Sequence, residues 1–346
     1  MTRHVPRHRP KSQSSSGAHA SFGAEPQAPD RPPQVVTTSR TLGDAPGYNP
    51  APASEIPAHA AREVERQLAQ PLAPGLYLVA TPIGNLADIT LRALATLSRA
   101  DVVLCEDTRH SRTLLAHFGI RARAEPYHEH NADQMRPRVL ANLAEGKCIA
   151  LISDAGTPLI SDPGYKLVRE ALAAGYTVEC VPGACAAIAA LAPSGLPTDS
   201  FHFAGFLPPR SGQRGTRITA LAAIPSTLVF YEAPQRLAET LADLAAILGP
   251  RLAVIARELT KLHEETLRGT LPELAMLSAT REIRGEIVLL VGPPLDVEIT
   301  DAEIIERLSA ALQSQSLRDA AKAVADALGV PKARVYDLGL KVKQGA

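Results

Sequence analysis

The chain has 346 residues, with 36 Lys plus Arg against 36 Asp plus Glu, so its formal net charge is zero. That length accommodates two domains with a small third, and the charge balance excludes a global basic field, so any nucleic-acid contact has to come from local patches. No uninterrupted apolar run approaches the roughly 20 residues that span a bilayer, and four cysteines without a C-x-x-C pair predict a soluble, cytoplasmic protein with reduced thiols rather than disulfides or zinc ligands.

Residues 1–53 are rich in Pro, Ser, Ala and Gly, with Arg3, Arg7, Arg9 and Lys11 at the front. Such a segment buries too little apolar surface to offset its chain entropy, and disorder is expected. The Arg- and Ser-rich start also fits an organelle transit peptide, although its prolines oppose the amphipathic helix such peptides need. We take residues 1–70 as an extension. A short helix over 58–70 leads out of it, ended by Pro71 and Pro74.

From Gly75 strands alternate with helices. Strands are predicted over 76–80, 101–105, 124–127, 148–152 and 176–181, and helices over 89–97, around Leu114, Leu115 and Phe118, and over 133–143, 164–173 and 184–191. Repeated βα units imply a mostly parallel sheet with right-handed crossovers, here assigned to a first domain over 71–196. Cys105, Cys148 and Cys180 sit in or beside its apolar runs and read as buried thiols. Antiparallel-looking strands follow in a second, α+β domain over 197–296, at 201–206, 227–231, 252–257, 264–269 and 286–291, with helices at 234–247 and 271–277. Residues 207–217 read as a flexible basic loop, whose Arg210, Arg214 and Arg217 either hold phosphates or are simply solvated. Residues 297–346 read as a small helix-turn-helix-like domain. Its basic residues suit docking on RNA, or form the solvated face of a plain helical cap.

The polar loops fall after the strands, on the edge where open α/β sheets bind ligands. The densest of them runs from Ser153 to Gly164, with Asp154, Gly156, Pro158, Asp162 and Pro163 as turn chemistry. No G-x-G-x-x-G follows the first strand and no G-x-x-x-x-G-K-[ST] occurs, so a phosphate cradle is poorly supported. The loops suit a ligand gripped by backbone groups and small side chains.

The segments L-Y-L-V-A-T-P-I-G-N-L-A-D-I-T-L-R, S-D-A-G-T-P-L-I-S-D-P-G, V-P-G-A-C-A-A-I-A-A-L, F-Y-E-A-P-Q-R-L, A-R-E-L-T-K and G-E-I-V-L-L together resemble the tetrapyrrole-methylase superfamily. Within it they are most similar to the small-subunit ribosomal RNA methyltransferase I branch. The resemblance spans residues 75–291. It implies an α/β, two-domain class III methyltransferase fold with S-adenosylmethionine between the domains, commonly as a homodimer. It also implies methylation of the ribose 2′-oxygen of a cytidine in the 16S rRNA decoding centre. Related tetrapyrrole enzymes carry a G-P-G-D turn where this chain has Thr81-Pro82-Ile83-Gly84-Asn85, which disfavours a porphyrin-like substrate. A tetrapyrrole C-methylase and a non-catalytic RNA-binding assembly factor stand as the competing readings. Neutral net charge favours an assembled or late-precursor 30S particle over free RNA.

By the same resemblance, cofactor contacts fall on Pro82, Gly84 and Asn85, on Asp154, Gly156, Thr157, Pro158 and Ile160, on Pro182, Gly183 and Cys185, and on Phe206, Tyr231 and Ala233. A ribose hydroxyl is a weak nucleophile, so a positioned base is expected. Glu106, Asp107 and Glu232 are candidates, each with capping or an ion pair to Arg109 or Arg236 as the alternative. His128, His130 and Asn131, which resemble a run in the related rRNA enzymes, are assigned with Arg109 to the substrate. Two histidines around Glu129 lack further partners at metal-ligand spacing, so no metal is expected. Lys261, near Arg257 and Glu258, either orients RNA phosphate or knits the domains together.

Overall fold

The computed structural model describes residues 35–36, 55–295 and 300–344. Its first sheet contains β2 (Gly75–Val79), β3 (Val102–Cys105), β4 (Ala124–Pro126), β5 (Cys148–Leu151) and β6 (Val178–Val181), in the order β4-β3-β5-β2-β6, all parallel. Alternation along each strand divides the core into two halves. Tyr77, Val79, Val103, Cys105 and Ala150 face one apolar cluster, while Leu76, Val102, Leu104, Ile149 and Leu151 face the other. Because every strand runs the same way, all the loops that follow strands emerge on one edge.

Helices α2 (Leu91–Arg99), α3 (Thr108–His117), α4 (Ala132–Ala144), α5 (Tyr165–Ala173) and α6 (Ala186–Leu191) connect the strands. Thr90 caps α2 through the Ala93 N–H, so that helix starts two residues later than expected. α5 begins at Tyr165, one residue later than expected. Gly164 precedes the helix at φ +135°, and a Cβ there would lie 3.0 Å from the Leu151 side chain. Cys105 and Cys148 are buried, but Cys180 is exposed and Cys185 half-buried. β6 is an edge strand, and an edge leaves one flank without a neighbour.

The second sheet has the order β1-β10-β9-β11-β8-β7, with β1 (Val35–Val36), β7 (Phe201–Phe206), β8 (Thr227–Glu232), β9 (Leu252–Arg257), β10 (Glu265–Thr270) and β11 (Ile287–Val291). It is mixed rather than antiparallel, since β7 and β8 pair parallel. A parallel pair needs a crossover, and α7 (Ser211–Leu221) supplies it where a flexible basic loop was expected. On one face Leu228, Phe230, Ile255 and Leu289 pack with α7, α8 (Leu237–Leu248) and α9 (Leu271–Thr280). On the other, Val229, Val254, Ala256, Val288 and Leu290 pack against Ala187, Ala190 and Leu191 of α6. This shared cluster joins the two sheets and sets the cleft between them.

The expected disorder over 1–53 lies outside the described residues apart from β1 (Val35–Val36), which pairs antiparallel with β10. The extension is also structured before residue 70: α1 (Glu55–Ala69) reaches α2, where the Arg99 guanidinium donates to the Gln67 carbonyl at 2.9 Å. At the other end α10 (Asp301–Leu312), α11 (Leu317–Leu328) and α12 (Lys332–Gln344) close around Ile304, Leu308, Val324, Val335 and Leu338. Among the described residues no helix is long and apolar enough to cross a membrane.

Candidate active site

Three loops on the common edge are stitched together by backbone bonds and threonine hydroxyls. Thr81 and Gly156 exchange N–H···O bonds of 2.9 and 3.1 Å, the Thr81 hydroxyl donates to the Ser153 carbonyl, and the Thr157 hydroxyl donates to the Ala184 carbonyl. Leu159 and Ser161 sit at φ +70° and +63°. Such conformations cost non-glycine residues about 1–3 kcal/mol and persist where the surroundings over-determine them, often at functional sites.

The loop 155–162 forms one wall of a cavity of about 410 Å³ whose opposite wall comes from the second sheet: Phe206, Tyr231, Glu232 and Ala233, with residues 285–288. Ile83, Ile160, Ile287 and Leu259 make it largely apolar, while its charged lining is Asp162, Glu232 and Glu286, without a lysine or arginine. Glu232 pairs with Arg236 and Glu286 with Lys261, so among the described residues Asp162 is the lining carboxylate without an ion pair. A cavity of this size with that acid and no lining cation suits a cationic small molecule and opposes a polyphosphate. Tyr231 stacks edge-on against Phe203 at 5.0 Å and Phe206 at 5.7 Å. Burial, with Cys185 nearby, pushes its phenol up to about 12, which keeps it neutral. Burial, reinforced by the Glu106 and Asp154 charges, pushes the Asp162 carboxyl up to about 6.

A second cavity of about 320 Å³ adjoins the first, sharing Ile83, Ala155 and Glu286 as walls. Pro82, Gly84, Leu86, His110, Ser111, Thr113, Asp154 and Lys261 also line it. Lys261 is pinned by Glu258 at 2.9 Å and Glu286 at 3.2 Å. Gly84 permits this packing, since a Cβ there would come within 2.5 Å of the Lys261 side chain.

The sequence-assigned residues therefore divide. Gly156, Thr157, Ile160, Phe206, Tyr231 and Ala233 line the first cavity. Pro82, Gly84, Asp154 and Lys261 line the second. Glu106 and Pro158 border a small cleft that also contains Asp162. Asn85, Pro182, Gly183 and Cys185 line neither large cavity. Asn85 caps a 3-10 turn through the Ala87 N–H, and Gly183 allows close approach to Ala80, whose Cβ would lie 2.9 Å from one added there.

Two base candidates are committed elsewhere. Buried Glu232 accepts from the Ala233 N–H at 2.8 Å and the Thr240 hydroxyl at 2.6 Å, and it faces Arg236 at 3.4 Å. Asp107 caps α3 through the Arg109 N–H and pairs with the Arg109 guanidinium, which holds its carboxyl below the usual range. One substrate assignment, Arg214, needs correction. Arg214 is 2% exposed and is bound by Asp243, Glu239 and the Pro209 carbonyl, so it holds α7 to α8 and cannot meet RNA. Arg210 and Arg217 remain exposed. Asn131 spans its own turn, accepting from the His128 N–H and donating to the Pro126 carbonyl. His128 and His130 stand 6.0 Å apart outside both cavities. Sequence reading treated Asp162 and Glu286 as a turn residue and the edge of a strand. The crowded S-D-P-G turn was the available signal for the first, and Glu286 carried none.

Residues 75–275 match the tetrapyrrole (corrin/porphyrin) methylases, and residues 298–343 match the RsmI C-terminal HTH domain. Ribosomal RNA small subunit methyltransferase I of Mesorhizobium japonicum is 53% identical over 278 residues, covering 80% of this chain and 94% of that protein. The chain belongs to the ribosomal RNA small subunit methyltransferase I family. The Escherichia coli O157:H7 member of that family is 47% identical over 272 residues, covering 77% of this chain and 94% of its own length. Among solved structures, cobalt precorrin-4 methyltransferase is similar at a TM-score of 0.50 and 22% identity, covering 63% of this chain and 94% of that one. Diphthine synthase is similar at 0.51 and 16%, covering 63% and 89%. These two likenesses show the fold of the two α/β lobes of this methyltransferase, and the three C-terminal helices correspond to the HTH domain match.

Proposed function

We propose that the protein transfers a methyl group from S-adenosylmethionine to the ribose 2′-oxygen of a cytidine in the decoding centre of 16S rRNA. The substrate rests on kinship with the small-subunit rRNA methyltransferases. The cofactor rests chiefly on one observation, the cavity lined by the Asp162 carboxyl and by no lysine or arginine. Asp162 meets a cationic ligand there, Ile83, Ile160 and Ile287 exclude water, and the Gly156 backbone with the Phe206 and Tyr231 rings shapes the walls.

S-adenosylmethionine, when bound, supplies an electrophilic methyl group on a sulfonium. As the hydroxyl oxygen bonds to the methyl carbon and the carbon–sulfur bond breaks toward sulfur, the hydroxyl proton needs an acceptor. Glu286, the carboxylate common to both cavities, is our candidate in place of Glu106, Asp107 and Glu232. Alignment of the two reactants is the larger contribution the protein makes to such a displacement. The physiological particle is a 30S subunit or late precursor, the enzyme is a cytoplasmic homodimer, and exposed Arg210 and Arg217 face RNA phosphate.

The test uses purified protein, labelled S-adenosylmethionine and 30S subunits from cells lacking the gene, with ribose methylation mapped nucleotide by nucleotide. One methylated decoding-centre cytidine is the expected result, and no incorporation overturns the reading. Glu286→Gln lowers kcat by about 10²-fold or more if the carboxylate is the base.

A further inference from the structure

We propose that the second cavity is the acceptor-nucleoside pocket and that Asp154 reads the exocyclic amine of the cytosine held in it. This deepens the activity reading above and rests on it. Three observations converge. At about 320 Å³ the cavity falls at the lower end of the roughly 300–1,000 Å³ range of small-molecule sites, where one nucleoside belongs. It shares the Ile83, Ala155 and Glu286 walls with the cofactor cavity, so a ribose in one lies beside a methyl donor in the other. Its polar lining mixes charges and comes from separate elements: Asp154 from the loop after β5, His110 from α3, and Lys261 from the segment between β9 and β10.

Asp154 is suited to the reading role by its existing bond. Its Oδ1 accepts from the Asp107 N–H at 3.1 Å, which fixes the carboxylate, and among the described residues no donor reaches Oδ2. A carboxylate oxygen accepts from the cytosine N4 amine, whereas uracil presents a carbonyl at the same position, and two acceptors facing each other repel. A target base enters such a pocket only after leaving its stack, and Lys261 at the side of the pocket carries the charge that suits a flanking phosphate. The partners of Lys261, Glu258 and Glu286, hold it in place beforehand.

The experiment compares 30S particles reconstituted with the target cytidine or with uridine at that position, using the full-length enzyme. Wild-type enzyme is expected to prefer the cytidine particle. Asp154→Asn keeps an oxygen for the Asp107 N–H but can also donate, so the cytidine-to-uridine ratio of kcat/KM falls at least about tenfold. S-adenosylmethionine affinity, measured separately by calorimetry, stays within about twofold of wild type. An independent variant, Thr113→Phe, fills the second cavity from the exposed side of α3 and is expected to cut kcat/KM for the cytidine particle at least about tenfold while leaving cofactor affinity unchanged. An unaltered base ratio in Asp154→Asn, or wild-type kinetics in Thr113→Phe, overturns the pocket assignment alone. A wild-type enzyme inactive on the cytidine particle overturns the activity reading and takes the pocket assignment with it. Loss of cofactor binding in Asp154→Asn also overturns the assignment, by returning Asp154 to the cofactor.

Discussion

Gly285 lies against the side chain of Glu258, so close that a Cβ on Gly285 would come within 2.5 Å of the Glu258 carboxylate carbon. Glu258 cannot easily yield. It bonds the Lys261 ammonium and the Glu286 N–H, each at 2.9 Å, and its own backbone is at φ +51°. Gly285 itself stands at φ +94°, where any side chain is strained. The expected outcome of Gly285→Ala is therefore a loss of about 1–3 kcal/mol in thermal or denaturant unfolding. Methyl transfer should fall further than stability does, because Glu286 and Lys261 shift together.

The Asp162 carboxyl, at about 6 in place of its ordinary 3.8, binds its proton more tightly in the folded protein than in the unfolded chain. Its contribution to stability is thus present below about pH 4 and is lost as pH rises through 6. Attraction for a cationic cofactor runs the other way, since it needs the ionised form. Affinity for S-adenosylmethionine should rise between about pH 5 and pH 7 with a midpoint near 6. Asp162→Asn should flatten that rise and raise the melting temperature of the cofactor-free protein at neutral pH. Calorimetric titration and melting curves across the range check both signs.

The three arginines of the 207–217 region should separate cleanly. Arg214→Met strands Asp243 and the Pro209 carbonyl and is expected to cost roughly 2–4 kcal/mol, below the full value for a buried pair because Glu239 is largely exposed and Asp243 partly so. Arg210→Ala and Arg217→Ala should leave unfolding within about 0.5 kcal/mol of wild type while weakening 30S binding in a salt-dependent way. Equal destabilisation by all three would refute the distinction.

Gly339 on α12 faces two side chains of the neighbouring helices, and a Cβ added there would come into hard contact with Leu317 and within 2.9 Å of Leu308. Gly339→Val should overpack the three-helix domain and cost about 1–3 kcal/mol. Hydrogen exchange should locate the loss in α10–α12 and leave the two sheets protected, which tests whether these helices unfold as a unit of their own.

Strand positions, most helix positions other than α7, and the parallel character of the first sheet were legible in the chain because they are local. An apolar pentad such as Cys148 to Ile152 followed by a glycine- and proline-rich loop has few conformations that bury the one and solvate the other, and repeated units of that kind close only as a parallel sheet with its loops on one edge. The long motifs identified the superfamily for the same reason: each is a contiguous run of strand, loop or helix start. Pairings between distant segments were not legible. That β7 and β8 run parallel, that Arg214 turns inward to Asp243, and that Glu232 is spent on Thr240 each depend on a partner between 8 and 30 residues away, which composition and periodicity do not reveal. The division of one cleft into two cavities was decided at the same level. Asp154 and Gly156 are two residues apart on one loop, yet the Thr81–Gly156 bridge turns the chain between them so that they serve different pockets. Sequence dictates which residues reach the cleft. Packing α6 of the first lobe against the second sheet decides which side of it each one faces.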